Sequence, residues 1–457
     1  MSNVALVRAP YIEPFPPDIG MAYLAAVLKD RGHRVSVFDL NIDLYSRVEP
    51  GYQERWATSD ERKLFALSRE VLALSEASIK RFADTIVEES FNIVGFSIWH
   101  SNINCSLLAA RQIKEKNPSL PIVFGGPECY PLWSGNSLIE SPYVDIVVYG
   151  EGEFTLGDIV DNLDRYGSLR HNKGFLIKKE GRIVDMGPEE TIHNLELLPF
   201  PDFSVFDLDR YPTEKGLFIL FNRGCVYKCS YCSLPGTTPA YRKRSAKSLV
   251  CEIKHQIKRH PGITRFFCAS AALNADLNTL SEFCDLIIEE GLEVSWGGYA
   301  AIRKMDIKLL EKMKIAGCEC LNFGMESSSD RILKQMNKRY DSVLAGQLIK
   351  DTHEAGISSI RVNFIFGFPG ETEEDFRKTL AFVGRNRKYI RFIGSSDTCW
   401  VEPYSAIHSL PNDFEIKINN PLDRMCKDRT SLTNGNTREQ REERKRQFSQ
   451  FIHQLGY

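Results

Sequence analysis

Short apolar runs alternate with stretches of helical period along most of the chain, and they do so in two series. In the first, residues 3–10 (NVALVRAP) read as a strand, 18–32 as a helix closing on Gly32, and 34–40 as the next strand. A long helical stretch from about Asp60 to Ser90 follows, then strand 92–98, helix 104–118, strand 121–126 and strand 144–153. Strands that are apolar on both faces and alternate with helices predict an α/β unit built on a doubly wound parallel sheet. Such sheets take ligands beyond the carboxyl ends of their strands. The small or glycine-rich turns are expected there: Ser97 to Ser101, Gly125-Gly126-Pro127, and Gly150 to Glu153 with Gly152 between them.

Residues 175–187 read as a hairpin, and the prolines and lost periodicity of 198–212 mark a linker. The second series begins with strand 217–224, continues through helix 246–260, strand 264–270, helix 277–290, strand 293–300, helix 306–316 and strand 320–327, and ends with helices 329–336 and 342–355, strand 359–370, helix 372–387 and strand 391–403. About six strand-helix units predict a partial (β/α)6 barrel with its chemistry at the carboxyl ends of the strands. Residues 437–456 form a short helical tail with Phe448, Phe451, Ile452 and Leu455 on one face. Its charge run, Arg438 to Arg446, interleaves acids and amides with arginines and so is expected to be a solvated helix face rather than a nucleic-acid tail. The expected domains are 1–190, a linker 191–214, the barrel 215–403 and a helical extension 404–457.

Composition narrows the class of partner. The 457 residues carry 58 basic and 60 acidic side chains, a formal charge of −2, so no overall field draws the protein to nucleic acid or to a membrane. No run approaches the roughly 20 apolar residues of a membrane helix, and no leader sequence is visible, so a cytoplasmic location is expected. Nine of the twelve cysteines (105, 129, 251, 268, 284, 318, 320, 399 and 426) are scattered among apolar patterns, where a reduced cysteine acts as a small hydrophobe. Cys225, Cys229 and Cys232 are instead clustered in NRGCVYKCSYCSLPG, residues 222–236.

A C-x3-C-x2-C spacing on a loop leaving a strand lets three sulfurs converge on one metal centre, and Gly224 permits the sharp turn before them. Cubane iron-sulfur clusters normally take four thiolates, so three leave one iron with an open position. The alternatives are a zinc site completed at a distance, for which Cys251 and His255 lie inside an amphipathic helix pattern, or chance core cysteines.

CVYKCSYC, with the aromatic Tyr231 before its third cysteine, resembles the signature of radical S-adenosylmethionine (radical SAM) enzymes. NFGMESSSDRILKQMNK (322–338) resembles the G-x-E-S segment of that superfamily, and VNFIFGFPGETEEDF (362–376) resembles its fifth-strand motif. The resemblance implies a [4Fe-4S] cluster on Cys225, Cys229 and Cys232, with SAM on the fourth iron. It also implies a 5'-deoxyadenosyl radical that takes hydrogen from an unactivated carbon. Tyr231, Glu326, Ser327 and Asn363 are expected beside the cofactor, Glu326 and Ser327 for its amino group or ribose. Asn274 stands where many relatives carry an acid, and the Gly367 to Glu371 turn reads as structural. Trp400, Tyr404 and Tyr299 read as packing before they read as a substrate pocket.

Residues 16–41, 95–102, 122–131 and 144–156 resemble the cobalamin-binding domain fused to one large radical SAM subfamily, which implies cobalamin over Ser97, Gly125, Gly126, Gly150 and Gly152. No D-x-H-x-x-G string occurs; His33 reads as a surface residue and His100 lacks the preceding Asp, so a base-off cofactor without a histidine ligand is expected. Radical SAM methylthiotransferases carry three more cysteines in this domain, where the chain has only Cys105 and Cys129. The resemblance therefore implies a methyltransferase acting on an unactivated carbon of a small molecule, served by an electron donor such as flavodoxin or ferredoxin, with no nucleic acid or membrane as partner. A cobalamin-dependent cyclase, oxidase or rearrangement enzyme is the second reading, and a metal-binding scaffold protein the third.

Overall fold

Val4 to Val7 and Ile93 to Phe96 are buried at consecutive positions, a pattern that requires both faces of a sheet to be covered. A computed structural model describes the chain except for residues 14–15, 58–68, 164–172, 189–190, 212–215, 419–429 and 432–435. It divides into two units, Met1–Leu217 and Phe218–Tyr457.

In the first unit, β1 (Asn3–Arg8), β2 (Arg34–Asp39), β3 (Ile93–Ser97), β4 (Ile122–Gly125) and β5 (Ile146–Val148) run parallel in the order β2-β1-β3-β4-β5. The chain direction across the sheet reverses between β1 and β3. The helix Ile19–Asp30 is capped by Asp18, whose side chain accepts from the Met21 N–H at 3.1 Å. Of the long helix expected from Asp60, the part before Arg69 lies outside the described residues, and the rest is the helix Arg69–Glu88. The hairpin is β6 (Phe175–Lys179) with β7 (Arg182–Asp185), and it changes the expected all-parallel sheet into a mixed one. β6 pairs antiparallel along β5, from Ile146↔Ile177 to Val148↔Phe175, and so satisfies the free edge of that short strand.

The proline-rich segment after the hairpin is held on this unit. The Asp202 N–H donates to the Ala22 carbonyl at 3.0 Å, Lys29 pairs with Asp202 at 2.7 Å, and the Tyr211 hydroxyl donates to Asp39 at 2.7 Å. His33, expected on the surface, is buried instead. Its Nε2 lies 2.9 Å from Asp161 and its Nδ1 accepts from the Ser2 N–H, because the tight turn at Gly32 folds it under the amino end of the chain.

β8 (Gly216–Ile219) leads into the second unit and is followed by the short pair β9 (Asn222–Arg223) and β10 (Arg242–Lys243). Then come β11 (Arg265–Cys268), β12 (Ser295–Ala300), β13 (Cys318–Glu326), β14 (Ser359–Phe366) and β15 (Phe392–Thr398). Six strands form one sheet in the order β15-β14-β13-β12-β11-β8; apart from the small β9–β10 ladder between β8 and β11, each lies beside its neighbour in sequence, as a partial barrel requires. Alternation sorts the two faces. Phe323 and Met325 of β13, with Val362, Phe364 and Phe366 of β14, are buried on the outer face, where Phe366 meets Phe376 of the helix Glu373–Asn386. Asn322, Gly324, Glu326 and Asn363 occupy the inner face.

The helical tail, Arg438–Gln454, packs where a sixth barrel helix belongs. Phe448 lies 5.2 Å from Phe364 and 4.8 Å from Phe366, ring centre to ring centre. The expectation that its charge run is solvated fails at two positions. Arg441 and Arg444 are buried: Arg441 donates to the Asn436 carbonyl at 2.9 Å, and Arg444 meets the buried Glu371 at 3.0 Å. The other charges pair on the surface, as Arg446 does with Glu443. Six of the scattered cysteines are buried as expected, but Cys251 is exposed on the helix Ala246–Arg259, Cys320 is half-buried on β13, and Cys426 lies outside the described residues. Among the described residues no helix is long and apolar enough to cross a membrane.

Burial pushes the Glu371 carboxyl up to about 7, against the pull of Arg444 and the Gly367 N–H. Replacing Arg444 by Met leaves that carboxylate without its counter-ion and is expected to cost about 3–5 kcal/mol at pH 8. The folded-state value lies above the unfolded one of about 4.3, so the loss shrinks as pH falls and Glu371 takes up a proton. Denaturant unfolding of Arg444→Met at pH 8 and pH 5, with and without Glu371→Gln, checks this: the second substitution restores most of the stability at pH 8.

Candidate active site

The cysteine loop leaves and re-enters the barrel through the β9–β10 ladder, Arg223↔Arg242 and Asn222↔Lys243, so residues 224–241 form a closed excursion. Gly224 starts it at φ +72°, and a Cβ there would collide with the Ala240 carbonyl oxygen; only glycine fits. The Tyr227 N–H donates to the Cys225 sulfur at 3.4 Å. Burial pushes the Cys232 thiol up to about 12 and raises Cys225 as well, and each is raised further by Cys229. The three sulfurs thus share one electrostatic environment. Among the described residues no three His, Cys, Asp or Glu side chains stand close enough to hold one single ion. A cubane offers each thiolate a separate iron and accepts a wider spacing.

Two sets of contacts fix the loop from beneath. Ser230 donates through its N–H to the Met336 carbonyl and through its hydroxyl to the Gln335 carbonyl, both at 3.0 Å, and the Asn337 amide donates to the Lys228 carbonyl at 2.6 Å. The Tyr231 hydroxyl donates to Glu326 Oε1 at 2.9 Å, and Lys338 reaches the same oxygen at 3.3 Å while lying 5.4 Å from the Tyr231 ring centre. Tyr340 donates to the carbonyls of Gly324 and Met325, fixing the end of β13. Burial opposes the charge of Lys338, but Tyr340, Tyr231, Glu326 and Cys229 outweigh it and hold the ammonium protonated; burial also raises the Tyr231 phenol. Lys338 and Tyr340 were missed in the sequence, where their one signal is their place at the end of the segment 322–338 and just after it. Beneath Tyr231 lies a small apolar core of Ile332, Met336, Phe368, Cys399, Val401, Ile407 and Ile416. The Ile407 N–H donates to the Ser230 carbonyl, so the chain beyond β15 helps seat the loop.

Glu326 stands at the end of β13 at φ +64°, a conformation that costs a non-glycine residue of order 1 kcal/mol or more. Ser327 is buried, and its hydroxyl accepts from the Ser329 N–H in the turn that follows. Asn274 exchanges two hydrogen bonds with the backbone of Ala301, at 2.9 and 2.8 Å, and so braces a loop rather than facing a ligand. Asn363 is different. Its Oδ1 is buried and without a hydrogen-bond partner among the described residues, as is that of Asn322 on the neighbouring strand. A Cβ at Gly394 would collide with the Asn363 Oδ1, and one at Gly324 with Glu326. Two orphaned acceptors, a carboxylate and two glycines on one inner face fit a ligand rich in N–H and O–H donors, as SAM is. Tyr299 is 50% exposed and Trp400 and Tyr404 are half-buried, so Tyr299 is not the packing residue it was expected to be.

In the first unit, Ser97 and Gly125 are the last residues of β3 and β4, and Gly126, Gly150 and Gly152 follow the carboxyl ends of β4 and β5, where they were expected. The Ser97 hydroxyl donates to Asp18 at 3.2 Å. Gly126 has φ +117°, and a Cβ there would stand 2.8 Å from the Ile98 carbonyl oxygen; Gly150 has φ +82° and Gly152 opens the helix Gly152–Asp161. Along these glycines the crest is bare backbone, a floor that suits a broad flat ligand such as a corrin. Cys105 and Cys129 are buried in the core of this unit, Cys105 against Ser75 at 3.6 Å.

Comparisons with known proteins bear on both units. A family model described as the radical SAM superfamily matches residues 219–383, and one described as the B12 binding domain matches residues 67–160. An uncharacterized methyltransferase of Pyrococcus horikoshii is 26% identical over 80% of this chain and 73% of its own. The anaerobic magnesium-protoporphyrin IX monomethyl ester cyclase of Rubrivivax gelatinosus is 30% identical over 58% of this chain and 49% of its own. The tRNA-2-methylthio-N(6)-dimethylallyladenosine synthase of Clostridium beijerinckii is 26% identical over 78% and 76%. The fold matches that of the cobalamin-dependent SAM radical enzyme OxsB, with TM-score 0.72 and 16% identity over 91% of this chain and 61% of that one. It also matches the radical SAM methyltransferase TsrM from Kitasatospora setae, with TM-score 0.69 and 17% identity over 92% and 79%. The chain thus spans about half the length of the cyclase and three fifths of OxsB. The chain carries a B12-binding domain ahead of a radical SAM domain, and the cofactors that go with these domains are cobalamin for the first and a [4Fe-4S] cluster with SAM for the second.

Proposed function

We propose that the protein methylates an unactivated carbon of a small-molecule substrate. The observation that carries this reading is the pairing, in one chain, of a three-thiol loop over an inner face with orphaned acceptors and a bare-backbone crest that suits a corrin. Similarity to a methyltransferase over most of both chains supports it. When bound, the cluster and SAM supply one-electron cleavage chemistry and cobalamin supplies a transferable methyl group. The work of the chain is to hold these groups and exclude water. Cys225, Cys229 and Cys232 would ligate the cluster as thiolates, with the Tyr227 N–H moderating the charge on Cys225. Asn322 and Asn363 would accept hydrogen bonds from SAM. Glu326, already neutralised by Lys338 and Tyr231, holds Tyr231 and with it the loop in register. A reductant must deliver the electron, and flavodoxin or ferredoxin is the class expected.

A cyclase-type reaction without methyl transfer is the second reading, favoured by the 30% identity to the Rubrivivax gelatinosus cyclase. A methylthiotransferase is less well supported, because a second cluster in the first unit would have to draw on Cys105 and Cys129, both sealed in its core.

Anaerobic reconstitution with iron, sulfide and hydroxocobalamin is expected to give an oxygen-labile brown protein, and Cys229→Ala is expected to lose the iron-sulfur absorbance. With substrate in hand, S-adenosylhomocysteine and 5'-deoxyadenosine should form in equal yield with product; 5'-deoxyadenosine with an unmethylated product would establish the second reading. Asn363→Ala is expected to weaken SAM binding about tenfold, the equivalent of about 1.4 kcal/mol, while the cluster absorbance is unchanged, as measured by equilibrium dialysis of the reconstituted protein.

A further inference from the structure

His100 opens the turn His100–Asn102 three residues beyond the end of β3, which lies beside β1 at the place where the strand order reverses. Open parallel sheets take their ligands at that point. Its Nδ1 is buried, has no hydrogen-bond partner among the described residues, and faces Glu128 Oε1 at 3.8 Å; 38% of the side chain remains exposed. The Glu128 carboxylate is almost wholly buried in the turn after β4. Ser134 donates a hydrogen bond to it at 2.5 Å, and the Glu128 N–H donates to the Ile98 carbonyl at 3.3 Å, tying the two turns together. A carboxylate built into the backbone therefore stands behind one nitrogen of a half-exposed imidazole. His33 is already spent on Asp161 and the Ser2 N–H, so it is no rival.

At 3.8 Å the two groups are not hydrogen-bonded, but an imidazole whose Nδ1 is turned toward a carboxylate presents Nε2 as an electron-pair donor, and a small closing movement onto Nδ1 would fix the tautomer and raise the basicity of a metal-ligating histidine. We infer that His100 is the lower-face cobalt ligand of the bound cobalamin, with Glu128 as its positioning residue. The inference rests on the reading that this unit binds cobalamin. It replaces the expectation of a cofactor without a histidine ligand, because the carboxylate comes from the turn after the neighbouring strand and leaves no D-x-H string to read.

The test uses full-length protein reconstituted with the cluster and hydroxocobalamin, reduced to the cobalt(II) state and examined by electron paramagnetic resonance. Protein grown with nitrogen-15 histidine is expected to split each resolved cobalt line in two, where unlabelled protein splits it in three. His100→Ala, or His100→Gln should the first variant fold poorly, is expected to abolish the splitting while cobalamin stays bound. Glu128→Gln is expected to reduce the split fraction. Absence of nitrogen splitting, or a threefold splitting that persists in labelled protein because the nucleotide base is the ligand, would overturn the inference and leave the cobalamin reading intact. Failure of the wild-type protein to retain cobalamin would overturn both. A split fraction unchanged in Glu128→Gln would overturn the role of Glu128.

Discussion

The second unit depends on one small electrostatic knot: the carboxylate of Glu326, held between the ammonium of Lys338 and the phenol of Tyr231. Each of these groups is nearly removed from water, and an ionised group in that state is tolerated only when its partners are in place. The knot joins the end of β13, the segment that follows it and the cysteine loop, three stretches with no covalent reason to meet. Tyr231 lies between two cysteines, so the position of the sulfurs is inherited from that of Glu326. The left-handed backbone of Glu326 belongs to the same constraint, since it turns the carboxylate toward the inner face.

Both units solve one problem with parallel strands, whose shared direction gathers all their exits on one edge, yet they furnish that edge differently. The first leaves it almost bare, with Gly126 pressed against the Ile98 carbonyl and Gly150 in a conformation closed to most residues. The second crowds it with thiols, amides and a buried ion pair. A large rigid ligand with its own functional groups needs mainly a shaped floor, whereas a small flexible one needs partners for each polar atom.

What was legible in the sequence follows from what periodicity can carry. Helix 277–290 was placed to within a residue of Leu277–Glu289 and strand 359–370 contains Ser359–Phe366, because burial on both faces of a parallel sheet forces long apolar runs. Gly224 and the three cysteines were legible because their chemistry is local. Asn322 was not, since an orphaned acceptor is recognised only when its surroundings are known, and Lys338 looks like any surface lysine until Glu326 is brought beside it. The tail misled for a related reason: Arg441 and Arg444 sit among acids that would solvate an exposed helix equally well, and only the docking of Phe448 on β14 shows which faces are covered.

The stem of Arg441 crosses Gly367 so closely that a Cβ there would collide with it, and Arg444 covers the carboxylate that accepts from the Gly367 N–H. The turn after β14 is thus completed by residues some seventy positions further along the chain. Without the helix Arg438–Gln454, one flank of β14 would be uncovered and Glu371 would lack its cation. What looks in the sequence like an appendage is thus the closing side of the second unit.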